Sequence, residues 1–543
     1  MKDIQQFFPS IDGNLDQRNK LIGYIKDILN ELDELKDPDQ LTLGEIPDYK
    51  EDHYNQIIHT AEIPRQSIAM EKTIHELLNL AKGHRYINRN YVANAAPLPS
   101  IPAILGNLLM ILLNGNNLWD VESSGASRAE VAITSMLSKL IGLDPHQSAG
   151  YTTWGGQGAV FHSLRLAIAR HYPESNKQGI PDHLYCFCSE LSHYSLYKSM
   201  EATGIGVDHL IRVKTNDDHS INIDDLKKKM IEVISRGGVP IYVLATMGTT
   251  DTFGIDDLKE IKNVTDQLEK EYGLDPVYIH ADSAMGGMYA FFNEYDFESN
   301  PLELSLEAHK VLKAYQEKFR NLCLADSLVF DFHKLGQTPY ASSLFMIKDK
   351  ELLKYVDLDH DETPYVGNRS FGSYHTSYTL ECSRMGSSIP IYASLLALGV
   401  EGYQKILANY IEVNISFRNL LQREIPNAAI TNDVSPVTTF RFYPDEVLWK
   451  DELNGRLTRA QIEQINKFNE KFGEILGQNR QKIYFGGTRK QRFVQPVDYE
   501  RRMPIYAHKF FSISPYTTVD EVERYVQFLK EMMDVYQKEL AMT

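Results

Sequence analysis

A chain of 543 residues with 56 Lys and Arg against 73 Asp and Glu carries a formal net charge of −17, which repels phosphate backbones and anionic membrane surfaces. No nucleic-acid or membrane partner is expected. Its 43% hydrophobic and 24% charged content excludes a disordered chain and leaves room for about three domains.

The opening MKDIQQFFPS has no apolar core of signal-peptide length, so a cytoplasmic location is expected. Next, DQRNKLIGYIKDILNELDELK places apolar residues at helical spacing and predicts a packing or dimerisation helix. IPAILGNLLMILL, residues 101–113, is the most apolar run. A bilayer span needs about 20 such residues, so this one predicts a buried helix.

From about residue 150 to 350 helical stretches alternate with β-rich runs: HLYCFC (183–188), HLIRVK (209–214), PIYVLAT (240–246), PVYIHAD (276–282), DSLVFD (326–331) and SSLFMIK (342–348). Strands separated by helices predict βαβ units and a mostly parallel sheet covered on both faces. After residue 400 come a long helical stretch, the strand-like TTFRFYP (438–444), a polar helix near 458–477, FFSIS (510–514) and a last helix. The expected division is an N-terminal helical segment over 1–100, a large α/β domain over 101–400 and a small α+β domain over 401–543. Cys186, Cys188, Cys323 and Cys382 lack paired CxxC spacing, so no metal site is expected. Cys186 and Cys188 face the same way on a strand and read as buried thiols.

Ligands in such sheets sit at the carboxyl ends of strands. PVYIHAD delivers Asp282 there, followed by the small residues SAMGG, which would let a flat ligand approach the backbone. DSLVFD delivers His333 and Lys334. A lysine just past a strand is ordinarily a solvated charge. An amine and a carboxylate at one sheet edge, however, are what pyridoxal phosphate needs: a Schiff-base partner and an anion for its ring nitrogen. TTWGGQGAVFHSLRLAIAR turns on glycines into a helix, and the free N–H groups around Gly156, Gln157 and Gly158 suit a phosphate. It has neither a Walker A nor a GxGxxG pattern. SELSHYS places His193 where an imidazole could stack on an aromatic ring, and LATMGTT ends its strand with the Thr246 hydroxyl. Singly each motif has a structural explanation. Together, at consecutive strand ends, they supply a phosphate cradle, a ring stack, an anion and an amine.

These blocks, with LWDVESSGASRAE (118–130) and TLECSRMGSS (379–388), resemble the group II pyridoxal-phosphate-dependent amino acid decarboxylases. The layout between HADSAMGG and DFHK looks like the bacterial tyrosine decarboxylase branch. The resemblance implies the aspartate aminotransferase type fold (fold type I) and a homodimer with shared active sites. It further implies that Lys334 forms the Schiff base, Asp282 pairs with the pyridine nitrogen, His193 stacks on the ring, Ala284 packs under it, and Thr246 and His333 lie beside it. Tyr374 falls where the family carries a loop tyrosine that protonates the substrate carbon, with Tyr365 and Tyr378 as rivals. His84 and Trp119 are expected near the substrate side chain, and a tyrosine-like substrate leads. A carbon–carbon lyase of the sphingosine-phosphate lyase type and a cofactor-binding protein without turnover are the alternatives. Three departures stand out: Gln157 where a hydroxyl is common, Phe332 for a common proline, and Ser283 in HADSA.

Overall fold

The computed structural model describes residues 2–9, 15–46, 52–358, 362, 374–444 and 447–542. They form two compact units, Met1–Tyr91 with Ile475–Tyr484, and Val92–Glu474 with Phe485–Thr543. In the first unit the predicted helix spans Leu15–Glu34 and buries none of its residues, and a second helix spans Met70–Ala81.

The second unit is organised by a seven-stranded sheet: β1 (Ala149–Thr153), β2 (Leu184–Ser189), β3 (Leu210–Val213), β4 (Val239–Thr246), β5 (Tyr278–Asp282), β6 (Ser327–Asp331) and β7 (Ser343–Ile347). Its order is β1-β7-β6-β5-β4-β2-β3. Pairing is parallel from β3 through β6, and β7 runs antiparallel to both β6 and β1. Every residue of β5, β6 and β7 is buried. Helices cover both faces, so these strands read as unbroken apolar runs rather than alternating ones. Cys186 and Cys188 are free and buried on β2, and burial holds both thiols well above their ordinary pKa.

A smaller, five-stranded sheet includes β8 (Ala428–Ile430), β9 (Val437–Phe442), β10 (Tyr484–Thr488) and β11 (Ala507–Phe511), which pair antiparallel with one another. Strand β11 pairs with both β9 and β10. The helix Ser388–Glu424 starts earlier than the sequence predicts and breaks at Gly399, whose φ of 59° and ψ of −171° are not helical. Glycine tolerates that conformation, so the chain turns there without strain.

The run at 101–113 forms the predicted helix but is not buried as expected. Only Ala103, Gly106 and Met110 are covered, whereas Ile101 is 75% and Leu105 59% exposed. Gly106 explains which side packs: a Cβ there would lie 2.7 Å from the Pro390 Cα, so the two backbones meet in close contact. The remaining leucines face outward because a helix apolar all round needs more than one neighbour to cover it.

Candidate active site

The sheet's register brings the predicted residues to one edge. Thr246 at the end of β4 pairs with Asp282 at the end of β5. Asp331 at the end of β6 pairs with Ser343, which in turn pairs with Thr153 at the end of β1. Because β7 is antiparallel, its first residue, rather than its last, reaches the same edge. A cavity of about 400 Å³ opens there, lined by Gly156, Gln157, His193, Thr246, Asp282, Ala284, His333 and Lys334 among others.

Lys334 is 23% exposed, and its Nζ lies 2.9 Å from Asp331 Oδ2. Burial opposes charge on both groups, but their mutual attraction outweighs it: the lysine pKa is raised and the Asp331 pKa lowered. Ser343 Oγ donates to Asp331 Oδ1. His333 accepts the Ser342 N–H at Nδ1, 3.2 Å, which puts its ring proton on Nε2, 3.7 Å from Asp331 Oδ2. Asp282 is buried, and the Ala284 N–H reaches its Oδ1 only at 3.4 Å. Desolvation pushes its pKa up to about 6, with Asp331 adding to the rise and Lys334 opposing it. A carboxylate so poor in partners has strong reason to take a cationic or N–H partner in the cavity. His193 is pushed down to about 4, first by burial and then by Lys334, so its imidazole is neutral at pH 7.

The glycine-rich turn leads straight into the helix Gly156–His171. A Cβ on Gly156 would lie 2.9 Å from Asp331 Oδ2 and 3.2 Å from the Ala284 Cβ, so only glycine lets the loop approach the strand ends this closely. Gln157 turns its amide away to donate to Ser195 O (3.2 Å) and Ser199 Oγ (3.0 Å). The Ser195 hydroxyl, also on the cavity wall, is buried without a partner among the described residues. A helix N-terminus beside an unmet hydroxyl suits a phosphate. With Asp282 and Lys334 lining the same cavity, the donor set fits pyridoxal phosphate.

Residues 69–443 match the model of the pyridoxal-dependent decarboxylase conserved domain. The chain belongs to the pyridoxal-dependent decarboxylase family. As a family member it is a carboxy-lyase whose cofactor is pyridoxal 5′-phosphate. It is 25% identical over 440 residues to an aspartate 1-decarboxylase of Aliivibrio fischeri, covering 76% of this chain and 71% of that one. It is 30% identical over 252 residues to an L-tyrosine decarboxylase of Enterococcus faecium, 43% of this chain and 40% of that one. The glutamate decarboxylase domain from a Vibrio parahaemolyticus diaminobutyrate enzyme superposes with a TM-score of 0.72 at 17% identity, covering 98% of each chain. An Oryza sativa TDC crystallised with PLP and tryptamine gives 0.74 at 17%, covering 97% of this chain and 99% of that one. These two likenesses show the fold, which is fold type I.

Not every predicted site residue of this decarboxylase meets at the cavity. Tyr374 donates its hydroxyl to Glu130 Oε1 at 2.7 Å and does not line the cavity. Trp119 is buried and bridges backbone to backbone with His375, also off the cavity wall. Tyr378 is buried with its ring 5.3 Å from Tyr151, and Tyr365 lies outside the described residues. His84 is exposed in the first unit. Sequence reasoning missed Asp331, Ser195 and Ser343. All three stood inside quoted runs, but Ser343 gave no signal because the direction of β7 is not encoded in a run buried on both faces.

The other departures have local causes. Ser283 Oγ donates to Val329 O at 2.6 Å, stapling the end of β5 to β6. Phe332 is fully buried, with its ring 6.3 Å from Phe330. It anchors the turn from Asp331 to Lys334 in the core, where a proline would leave a smaller side chain.

Proposed function

We propose that this decarboxylase converts an aromatic L-amino acid, with tyrosine first, to the amine and CO₂. The observation that carries the reading is the cavity wall. Among the described residues that line it, Lys334 is the only lysine or arginine, while Tyr194, Tyr340 and Met285 offer ring and thioether surface. A second carboxylate on the substrate would be left without a cation there, and an apolar or phenolic side chain would not. The likeness to the Enterococcus faecium tyrosine enzyme supports the same choice.

Lys334 would hold the cofactor's aldehyde carbon, the turn at Gly156 and Gln157 with Ser195 its phosphate, and His193 and Ala284 its two faces, with Thr246 and His333 alongside; Gly158 is off the cavity wall and its N–H is already bonded to Gly155 O at 2.8 Å. Bound there, the cofactor supplies an electron sink for the carbanion left when CO₂ departs. The Asp282 carboxylate keeps a proton on the ring nitrogen, and neutral His193 adds no opposing charge. Lys334 Nζ takes up a proton when released and is held by Asp331. Tyr374 is assigned as proton donor to the substrate carbon. Burial, then the Glu130 charge, raise its pKa well above the ordinary tyrosine value, so it stays a phenol with a proton to give. That assignment goes with a homodimer in which the Tyr374 segment, with Trp119 and His84, serves the neighbouring copy's substrate. The outward leucines of the 101–113 helix support such an interface.

The test is CO₂ release from L-tyrosine, L-tryptophan, L-aspartate and L-2,4-diaminobutyrate, beside aldehyde release from a phosphorylated amino alcohol. The expected kcat/KM for tyrosine exceeds that for aspartate by about tenfold or more. Faster aspartate turnover would overturn the substrate, and aldehyde without CO₂ would overturn the reaction.

A further inference from the structure

Two buried carboxylates flank one amine, and only one of them touches it. Asp331 Oδ2 is 2.9 Å from Lys334 Nζ, whereas Asp282 acts on the lysine through space. The contact is built into the backbone: the Lys334 N–H closes a turn onto Asp331 O at 3.0 Å, and Phe332 between them is fully buried. A Cβ on Gly336 would lie 2.6 Å from the Phe332 Cα, so the following chain folds tightly over that turn. Ser343 fixes the other carboxylate oxygen. Asp331 is thus locked in place before any cofactor arrives.

We propose that Asp331 is the counter-ion that stores Lys334 as an ammonium whenever the amine is not bonded to the cofactor, leaving Asp282 to the ring nitrogen. The proposal rests on Lys334 being the cofactor's anchor. An ammonium has no lone pair, so Lys334 must give up a proton before it can bond to an aldehyde carbon. Asp331 therefore makes cofactor capture slow and pH-dependent in the apoenzyme, and it gives the displaced lysine a defined resting place during turnover. The division of labour follows from geometry: one carboxylate sits within hydrogen-bonding reach of the amine, and the other is held on the neighbouring strand.

The groups facing Lys334 are Asp331, Asp282 on β5, His193 after β2, and His333 and Tyr340 on its own segment. The two histidines have lowered pKa values and are neutral throughout the range where a lysine titrates. The experiment is trace acetylation of the apoenzyme with acetic anhydride across pH 6 to 11. The peptide bearing Lys334 is quantified by mass spectrometry, and a Tyr340→Phe background removes the nearby phenol. The Lys334 midpoint is expected above that of free lysine in the parent. It should fall by about one pH unit or more in Asp331→Asn, a tenfold rise in reactive amine at neutral pH, and by less in Asp282→Asn. Pyridoxal phosphate capture, followed by tryptophan fluorescence, should quicken in Asp331→Asn by the same factor. An unmoved midpoint in Asp331→Asn would overturn the proposal. So would a fall of about one pH unit or more in Asp282→Asn, a measurement that stands even if the Asp331 variant does not fold. Borohydride trapping of pyridoxal phosphate on a lysine other than Lys334 would instead overturn the reading beneath it.

Discussion

The pairs Arg384–Glu130 and Lys334–Asp331 share their chemistry but not their surroundings. Glu130 and Arg384 are sealed at 0% and 1% exposure. Glu130 Oε2 accepts from Thr152 N, Thr152 Oγ1 and Arg384, and Oε1 from Asn117, Arg384 and Tyr374. Arg384 also donates to Asn117 O, Thr376 Oγ1 and Thr152 O. Lys334, by contrast, turns part of its surface into a cavity that also holds an unmet serine hydroxyl and an underserved aspartate. A network with nearly every donor and acceptor paired fixes architecture. One with capacity left over is ready for a ligand.

Removing the cation from the open pair should cost chemistry more than stability. Lys334→Ala should lower decarboxylation on the order of 10⁴-fold or more, as loss of a covalent nucleophile does. Its urea midpoint should move less than that of Glu130→Gln, because water in the cavity can serve Asp331. Glu130→Gln should cost about 3–5 kcal/mol, since it leaves the Arg384 charge buried and unpaired. Chemical denaturation measures both, and the comparison breaks if their order is reversed.

Acid should weaken the scaffold before it reaches the ion pairs. His162, His171, His193, His219, His280, His333 and His508 all have lowered pKa values, with burial the first cause of each. Below about pH 6.5 the unfolded chain binds protons that the folded chain refuses, so stability falls as pH drops towards 4. Asp256, Asp282, Glu269 and Glu381 are shifted upward and act in the opposite sense, but the histidines outnumber them. Urea midpoints should therefore decline from pH 7 to pH 5, and a flat or rising profile would contradict these assignments. The smallest effect belongs to Gln157→Ala. Its amide bonds the neighbouring helix, so the expected loss is about 0.5–1.5 kcal/mol of stability, with little change in cofactor affinity by fluorescence titration.

Much of this was legible in the residues. Six strands of the large sheet announce themselves as β-branched and aromatic runs, and the structure keeps each within about two residues of its predicted ends. β1 escaped because AGYTT is short and runs into glycines, so propensity is silent where pairing with β7 decides. The exposure of the 101–113 helix could not be read either, because composition records that a helix is apolar and not how many neighbours cover it. At the site, Asp282, His193, Thr246, Ala284, His333 and Lys334 meet at one cavity as their places at strand ends predict. Asp331 was passed over because a sequence shows a residue at the end of a strand without showing which of two carboxylates the lysine will meet. The position of Tyr374 depends on Glu130, 244 residues away in the chain, a contact that no local pattern contains.

The most direct measurement is borohydride reduction of the enzyme loaded with pyridoxal 5′-phosphate, followed by peptide mass spectrometry. A pyridoxyl group on Lys334, lost in Lys334→Ala, is the result predicted here. A label on any other residue, or none in the folded wild-type protein, would contradict the assignment of DFHK as the cofactor's covalent anchor.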